Sequence, residues 1–293
     1  MTSHNPNLRS IYAMLAAAGL FSLMDTAMKL LSETYPAMQV TALRALTSLP
    51  LVCLYLWYRG AFRRVLKVRW SLHLLRGALG IAMITLFAYG LKRLSLAEAY
   101  SLFFIAPMLI TALSVLILKE RVDLARWCAI AVGLAGVLVV LRPSGGEFFS
   151  LAGLAVLAAA ACYAVSAIAV RILSRTDASE SMVFWLMVMM AAGGVALAWH
   201  EWLPIRRADW LLLAGLSVSG FLGQLAITEA FRSGKASSVA PFEYSALAWG
   251  MGLDWLLWQT LPDQYTLIGA AIIIGSGIYL VRREAVHVES EHP

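Results

Sequence analysis

The sequence predicts an all-α polytopic membrane protein, with ten transmembrane helices arranged as two inverted five-helix repeats. Three observations predict it. Hydrophobic residues fill 61% of the 293 positions and charged residues only 14%, against about 25% charge in a soluble chain, and the mean hydropathy is +0.77. Apolar runs long enough to span a bilayer, about 20 residues each, recur with little between them. The third is an internal echo: "LAAAGLFSLMDTAMKLLS" (15–32) returns 142 positions later as "LAAAACYAVSAIAVRILS" (157–174).

Hydrocarbon cannot hydrogen-bond a free backbone, so runs of this length cross as helices. The expected spans are 8–31, 36–58, 71–92, 96–118, 123–141, 149–173, 180–200, 208–232, 236–258 and 263–282. The first carries Asp25 and the second Arg44. Counted from their nearer ends, the two lie at depths that differ by about 3 Å, so an ion pair between consecutive antiparallel helices is expected. Thr85 and Tyr89 share a face of the third span. The fourth opens on Ser95-x-x-Glu98, the pattern of a capping box. It continues through Tyr100, Phe104, Pro107 and Thr111 as one stripe and ends at Glu120 and Asp123, a turn expected to be solvated. The fifth holds Ala129 and Gly133, and the tenth Ala271 and Gly275. Such small-xxx-small pairs favour close helix contact and assign these helices to scaffold or dimer packing.

The sixth span begins the second copy. In register with the first, Phe21 matches Tyr163 and Met24 matches Ser166. The eighth carries Gln224 and Thr228 on one face, followed by Glu229. The ninth carries Pro241, Glu243 and Tyr244, the last matching Phe104 at an offset of 140. Glu243 lies seven residues into its span, about 10 Å deep, and is a candidate for coupling proton entry to substrate exit. Pro107 and Pro241 each remove a backbone hydrogen bond, and a freed carbonyl survives at membrane depth only beside protein or a wet cavity. They mark helices that kink or gate. Residues 1–143 and 144–293 are thus read as two five-helix units of one membrane domain. Five crossings are odd, so the second unit enters from the opposite side. Inverted repeats of this kind suit alternating access, with a substrate site near the midplane lined by both halves.

With the amino terminus cytoplasmic, sixteen Lys and Arg fall at inner ends and loops and six at outer ones, which places both termini inside in a cell (inner) membrane. The net charge of +6 then orients the chain and meets anionic lipid heads; nucleic acid is not an expected partner. Cys53, Cys128 and Cys162 fall within spans without CxxC spacing, so no disulfide framework or metal site is expected. No phosphate-cradling Walker loop occurs, no cofactor is expected, and nothing resembles the serine–histidine or paired-acid sites of intramembrane proteases.

The two-by-five layout, with "LSLAEAYSLFFIAPMLITALSVLILKERVDLARWCAIAVGLAGVLVV" (94–140) holding Pro107, Glu120, Gly133 and Gly136, resembles the drug/metabolite transporter superfamily. Within it the chain is similar to ten-helix exporters built from two EamA-type repeats, among them bacterial amino-acid and aromatic amino-acid exporters. The second repeat departs at Gln259 and Thr260, where the acid would be expected. The resemblance implies a secondary exporter of small organic solutes, amino acids foremost, working without ATP hydrolysis. An uncoupled facilitator or channel, or a membrane protein with no transport role, remains as the other reading. The candidate substrate-lining residues are Phe21, Met24, Thr85, Tyr89, Tyr100, Phe104, Tyr163, Ser166, Gln224, Thr228 and Tyr244. Asp25, Arg44, Glu229 and Glu243 are candidates for coupling or ion pairing.

Overall fold

A computed structural model of the chain describes residues 6–66, 68–91, 93–94, 96–142, 150–259 and 263–290. The first half contains α1 (Pro6–Ser32), α2 (Ala37–Tyr58), the short α3 (Phe62–Val65), α4 (Trp70–Leu91), α5 (Leu96–Phe103), α6 (Ala106–Leu118) and α7 (Leu124–Leu141). The second contains α8 (Leu151–Leu173), α9 (Ser179–Ala198), α10 (Trp210–Ser233), α11 (Ala236–Val239), α12 (Ser245–Trp258) and α13 (Gln264–Ser290). Among the described residues nine helices are long and apolar enough to cross a bilayer. The ninth expected span, 236–258, is not one of them: it is divided into α11, a 3-10 segment Ala240–Tyr244 and the 14-residue α12.

Helix ends repeat between the halves. The carboxylate of Asp123 accepts a hydrogen bond from the Arg126 amide at the start of α7, and that of Asp263 accepts one from the Thr266 amide at the start of α13. Each satisfies a free amide in a first helical turn. Lys119 and Gln259, again 140 positions apart, end α6 and α12 in left-handed backbone conformations, φ 56° and 53°. The capping box expected at Ser95 and Glu98 depends on Ser95, which lies outside the described residues.

Neighbours in sequence are not the main neighbours in space. The most extensive contacts pair α1 with α10, α4 with α8, α2 with α9, and α7 with α13. Exchanging the halves converts the first pair into the second and leaves the other two unchanged. Each principal contact therefore crosses from one half to the other, and α1 touches α2 only slightly.

The α7–α13 contact is made by glycines. A Cβ on Gly269 would lie 2.6 Å from the Gly136 carbonyl oxygen and 2.5 Å from Val140 Cγ2, whereas one on Gly275 would meet nothing within 4 Å. The close approach thus falls at Gly136 and Gly269 rather than at Gly275. Gly133 instead makes room for an aromatic side chain, since a Cβ there would stand 2.7 Å from the Tyr244 ring.

At the amino-terminal end of the bundle, acids tie the halves together. Glu120 is not simply solvated: its carboxylate accepts bonds from the amides of Ala236 and Ser237 and from the Ser237 hydroxyl (3.0, 3.1 and 2.6 Å), holding the start of α11. Glu229 accepts from Ser179 and Ser233 and faces Arg9 and Arg232, each at 3.7 Å. In the turn between α8 and α9, Asp177 lies 2.8 Å from Nε2 of His73 on α4, and both side chains are almost fully buried. Burial alone would raise the Asp177 carboxyl. Hydrogen bonds from Thr176, His73 and the Arg69 amide, together with the charge of His73, outweigh it and hold the group below its ordinary value of 3.8.

These contacts set measurable expectations for stability. Gly269→Ala lowers the thermal unfolding temperature of the purified protein, at a cost of about 1–3 kcal/mol for overpacking, while Gly275→Ala leaves it unchanged. A carboxyl with a depressed folded-state pKa contributes stability above its unfolded value and loses it as pH falls through the folded one. Wild-type unfolding temperature should therefore drop below about pH 4 more steeply than that of Asp177→Asn. Above that pH the variant should be the weaker by about 1–3 kcal/mol, having exchanged the charged acceptor that His73 faces for a neutral amide.

Candidate functional site

The spans at 96–118 and 236–258 are not continuous helices. The first breaks at Phe104 and Ile105, between α5 and α6, with Pro107 in the first turn of α6; the second breaks across the 3-10 segment that holds Pro241. Proline lacks an amide donor and suits a helix start, so each proline begins a new segment rather than kinking an unbroken one. The amides of Phe104 and Ile105 still find acceptors at Tyr100 and Leu102, and the Thr111 hydroxyl donates to the Pro107 carbonyl. The two breaks meet: the rings of Phe104 and Tyr244, equivalent positions of the two halves, stand 6.0 Å apart.

Beside that meeting point lies a cavity of about 320 Å³, enclosed by both halves. From α1 come Phe21, Met24 and Asp25; from α2, Thr41 and Arg44; from α4, Arg76, Leu79, Gly80 and Met83; from α5 and the break, Tyr100, Phe103 and Phe104. The second half supplies Tyr163 and Ser166 from α8, Met187 and Met190 from α9, Gln224, Thr228 and Phe231 from α10, and Glu243 from the ninth span. Rings run along the wall, with Tyr100 and Phe104 at 6.4 Å and Phe103 and Tyr163 at 5.8 Å.

Of the residues picked out in the sequence, Phe21, Met24, Tyr100, Phe104, Tyr163, Ser166, Gln224 and Thr228 line this space together. Tyr244 does not. It is 1% exposed and packs with Val137 and Ile273 in the slot opened by Gly133, behind Phe104. Thr85 and Tyr89 do not line it either. The cavity face of α4 runs through 76, 79, 80 and 83, a single helical stripe, and positions 85 and 89 fall off it. The Thr85 hydroxyl donates to the Ile81 carbonyl, and the Tyr89 ring carries the Arg93 guanidinium at 4.8 Å. Glu229 belongs to the helix-end network already described.

The wall carries charge. Asp25 and Arg44 both face the cavity and act on one another electrostatically. Among the described residues, however, no ion pair within 4.0 Å joins them, because α1 and α2 do not pack side by side. The Asp25 carboxyl is open to the cavity although it sits deep in α1. The Arg44 guanidinium lies 5.6 Å from the Phe21 ring centre, within range for cation–π attraction. Glu243 is not without a partner: the Tyr163 hydroxyl donates to it at 3.0 Å. The Thr228 hydroxyl is buried at the wall with no hydrogen-bond partner.

Sequence reading passed over Arg76, counting it among the basic residues at helix ends. It is 2% exposed and lines the cavity six residues into α4. The depth count that singled out Arg44 would have found it. Phe103 and the methionines of α9 had no such signal, since an apolar residue in an apolar helix is unmarked.

Residues 8–142 and 150–283 each match the EamA-like transporter family. Among curated relatives, the chain is 27% identical over 267 residues to the pseudopaline exporter of Pseudomonas aeruginosa, covering 91% of this chain and 93% of that one. It is 29% identical over 285 residues to a riboflavin transporter of Vibrio cholerae, covering 96% and 95%, and 26% identical over 272 residues to an S-adenosylmethionine uptake transporter of Rickettsia prowazekii, covering 92% of each. A solved crystal structure superposes with a TM-score of 0.80 over 95% of this chain and 98% of that one at 20% identity, a likeness of fold. Matched across both halves, and with relatives that carry small molecules across membranes, the chain belongs to the EamA-like transporter family.

Proposed function

We propose that this transporter is a secondary exporter of amphipathic organic solutes, amino acids foremost, working by alternating access about the cavity between its halves. The observation that carries the reading is the wall itself. Aromatic rings of Phe21, Tyr100, Phe104 and Tyr163 stand beside the opposite charges of Asp25 and Arg44. An apolar body fits the rings, while an ammonium or carboxylate finds an opposite charge already in place. Bare ions would gain nothing from the rings, and a wholly apolar solute would leave the charges unanswered.

Two inverted units, 1–143 and 144–293, supply the two exchangeable arrangements, with both termini on the cytoplasmic side of the inner membrane, as the basic residues favour. The breaks at Phe104 and across Ala240–Tyr244 are where the bundle flexes, since a divided helix turns at less cost than a continuous one. Glu243, hydrogen-bonded to Tyr163 at the cavity, is the group that takes a proton in exchange for cargo. Relatives named for export and for uptake share this frame, so direction follows from coupling rather than from the fold.

The test is flux in proteoliposomes. Counterflow of amphipathic amino acids should be saturable and should accelerate under an imposed pH gradient. Gradient-independent flux would remove proton exchange and leave a facilitator; no flux for any solute would remove the transport of amino acids. Glu243→Gln should keep counterflow and lose the acceleration. Tyr100→Ala should lower flux by about tenfold, the equivalent of about 1.4 kcal/mol, with the yield of folded protein in the membrane unchanged.

A further inference from the structure

Arg76 is a buried cation without an anion. Its side chain is 2% exposed, its Nη1 donates to the Met182 carbonyl at 3.3 Å, and its Nε is buried with no hydrogen-bond partner. Among the described residues no acid lies within 4.0 Å of it. The acids around it are engaged elsewhere. Asp177 is held by His73, Thr176 and the Arg69 amide, and Glu180 pairs with Arg59 at 3.3 Å. Within the cavity, Glu243 accepts from Tyr163, and Asp25, open to the same space, stands beyond ion-pair distance of Arg76.

A guanidinium taken out of water without a counter-ion costs several kcal/mol, and an apolar side chain of similar volume would ordinarily be the more stable occupant. The fold here gives nothing back beyond one long bond to a carbonyl. What Arg76 does have is the cavity, which it lines together with Leu79, Met83, Met187 and Met190. A guanidinium lining an apolar, methionine-rich wall matches a carboxylate attached to an apolar body: a charge-assisted bond to the anion, and thioether surface for the rest.

We propose that Arg76 is the anion-recognition residue of this cavity. It takes the carboxylate of the cargo and so makes the transporter select organic acids and amino acids over their uncharged amides. The proposal rests on the cavity being the transport site. It adds a second recognition point on α4, separate from Asp25 on α1 and Arg44 on α2.

The experiment compares matched acids and amides on the full-length purified protein: L-phenylalanine and 3-phenylpropionate against L-phenylalaninamide and 3-phenylpropanamide. Thermal unfolding is followed in wild type, Arg76→Lys and Arg76→Met. The acids should raise the wild-type unfolding temperature and the amides should not. Without ligand, Arg76→Met should unfold at or above the wild-type temperature and should bind the acids at least about tenfold more weakly, as expected for loss of a charge-assisted pair. Arg76→Lys should keep part of the response, a point charge without the fork. Equal shifts from acids and amides, no shift from either, or an undiminished acid response in Arg76→Met would each overturn the assignment. Should Arg76→Met not fold, the wild-type acid–amide comparison together with Arg76→Lys decides it. Liposome flux separates this from the transport reading. Acid-specific stabilisation without flux sinks transport and spares Arg76, whereas equal flux of acids and amides does the reverse.

Discussion

The structure depends on one constraint: each helix finds its principal partner in the opposite half. α1 lies on α10, α8 on α4, α2 on α9 and α7 on α13. Lipid gives helices little hydrophobic reason to associate, so such pairs are held by close packing and hydrogen bonds. Small residues supply the packing, with Gly194 against the Ala42 backbone and Gly136 against Gly269. Polar contacts supply the rest, with the Ser48 hydroxyl donating to the Ser217 carbonyl between α2 and α10. Neither half could bury these surfaces alone. The cavity between halves interlocked in this way is lined by residues of both.

The broken spans follow from the same arrangement. A continuous helix satisfies its own backbone, and interrupting one in hydrocarbon is costly. Here both interruptions occur where protein surrounds them. Phe104 and Tyr244 touch at the meeting point, and Tyr244 fills a slot that exists only because position 133 has no side chain. At the first break the amides of Phe104 and Ile105 are satisfied by short-range bonds to Tyr100 and Leu102.

Charge marks the cavity as a place apart from the rest of the membrane interior. Asp25, Arg44, Arg76 and Glu243 come from four separate elements and face one space. Other in-chain acids are spent on architecture: Glu120 holds the start of α11, and Asp177 holds His73. Relatives named for pseudopaline, riboflavin and S-adenosylmethionine share the frame. Function on such a frame is written in the wall of the site rather than in the fold.

The sequence by itself determined that the chain crosses a membrane repeatedly as helices, roughly where each helix begins and ends, and that the second half copies the first. Hydropathy over twenty-residue windows and the recurrence of Leu15–Ser32 as Leu157–Ser174 suffice for that. Depth along a helix was also legible, at 1.5 Å per residue, and it singled out Asp25, Arg44 and Glu243. Azimuth was not. A helix that is apolar all round has no wet face to orient it, so nothing in the sequence distinguished Thr85 from Met83 or kept Tyr244 out of the wall. Only the tertiary structure decided those, because the direction in which a membrane helix points a residue is chosen by the helix packed against it, and here that helix lies in the other half of the chain.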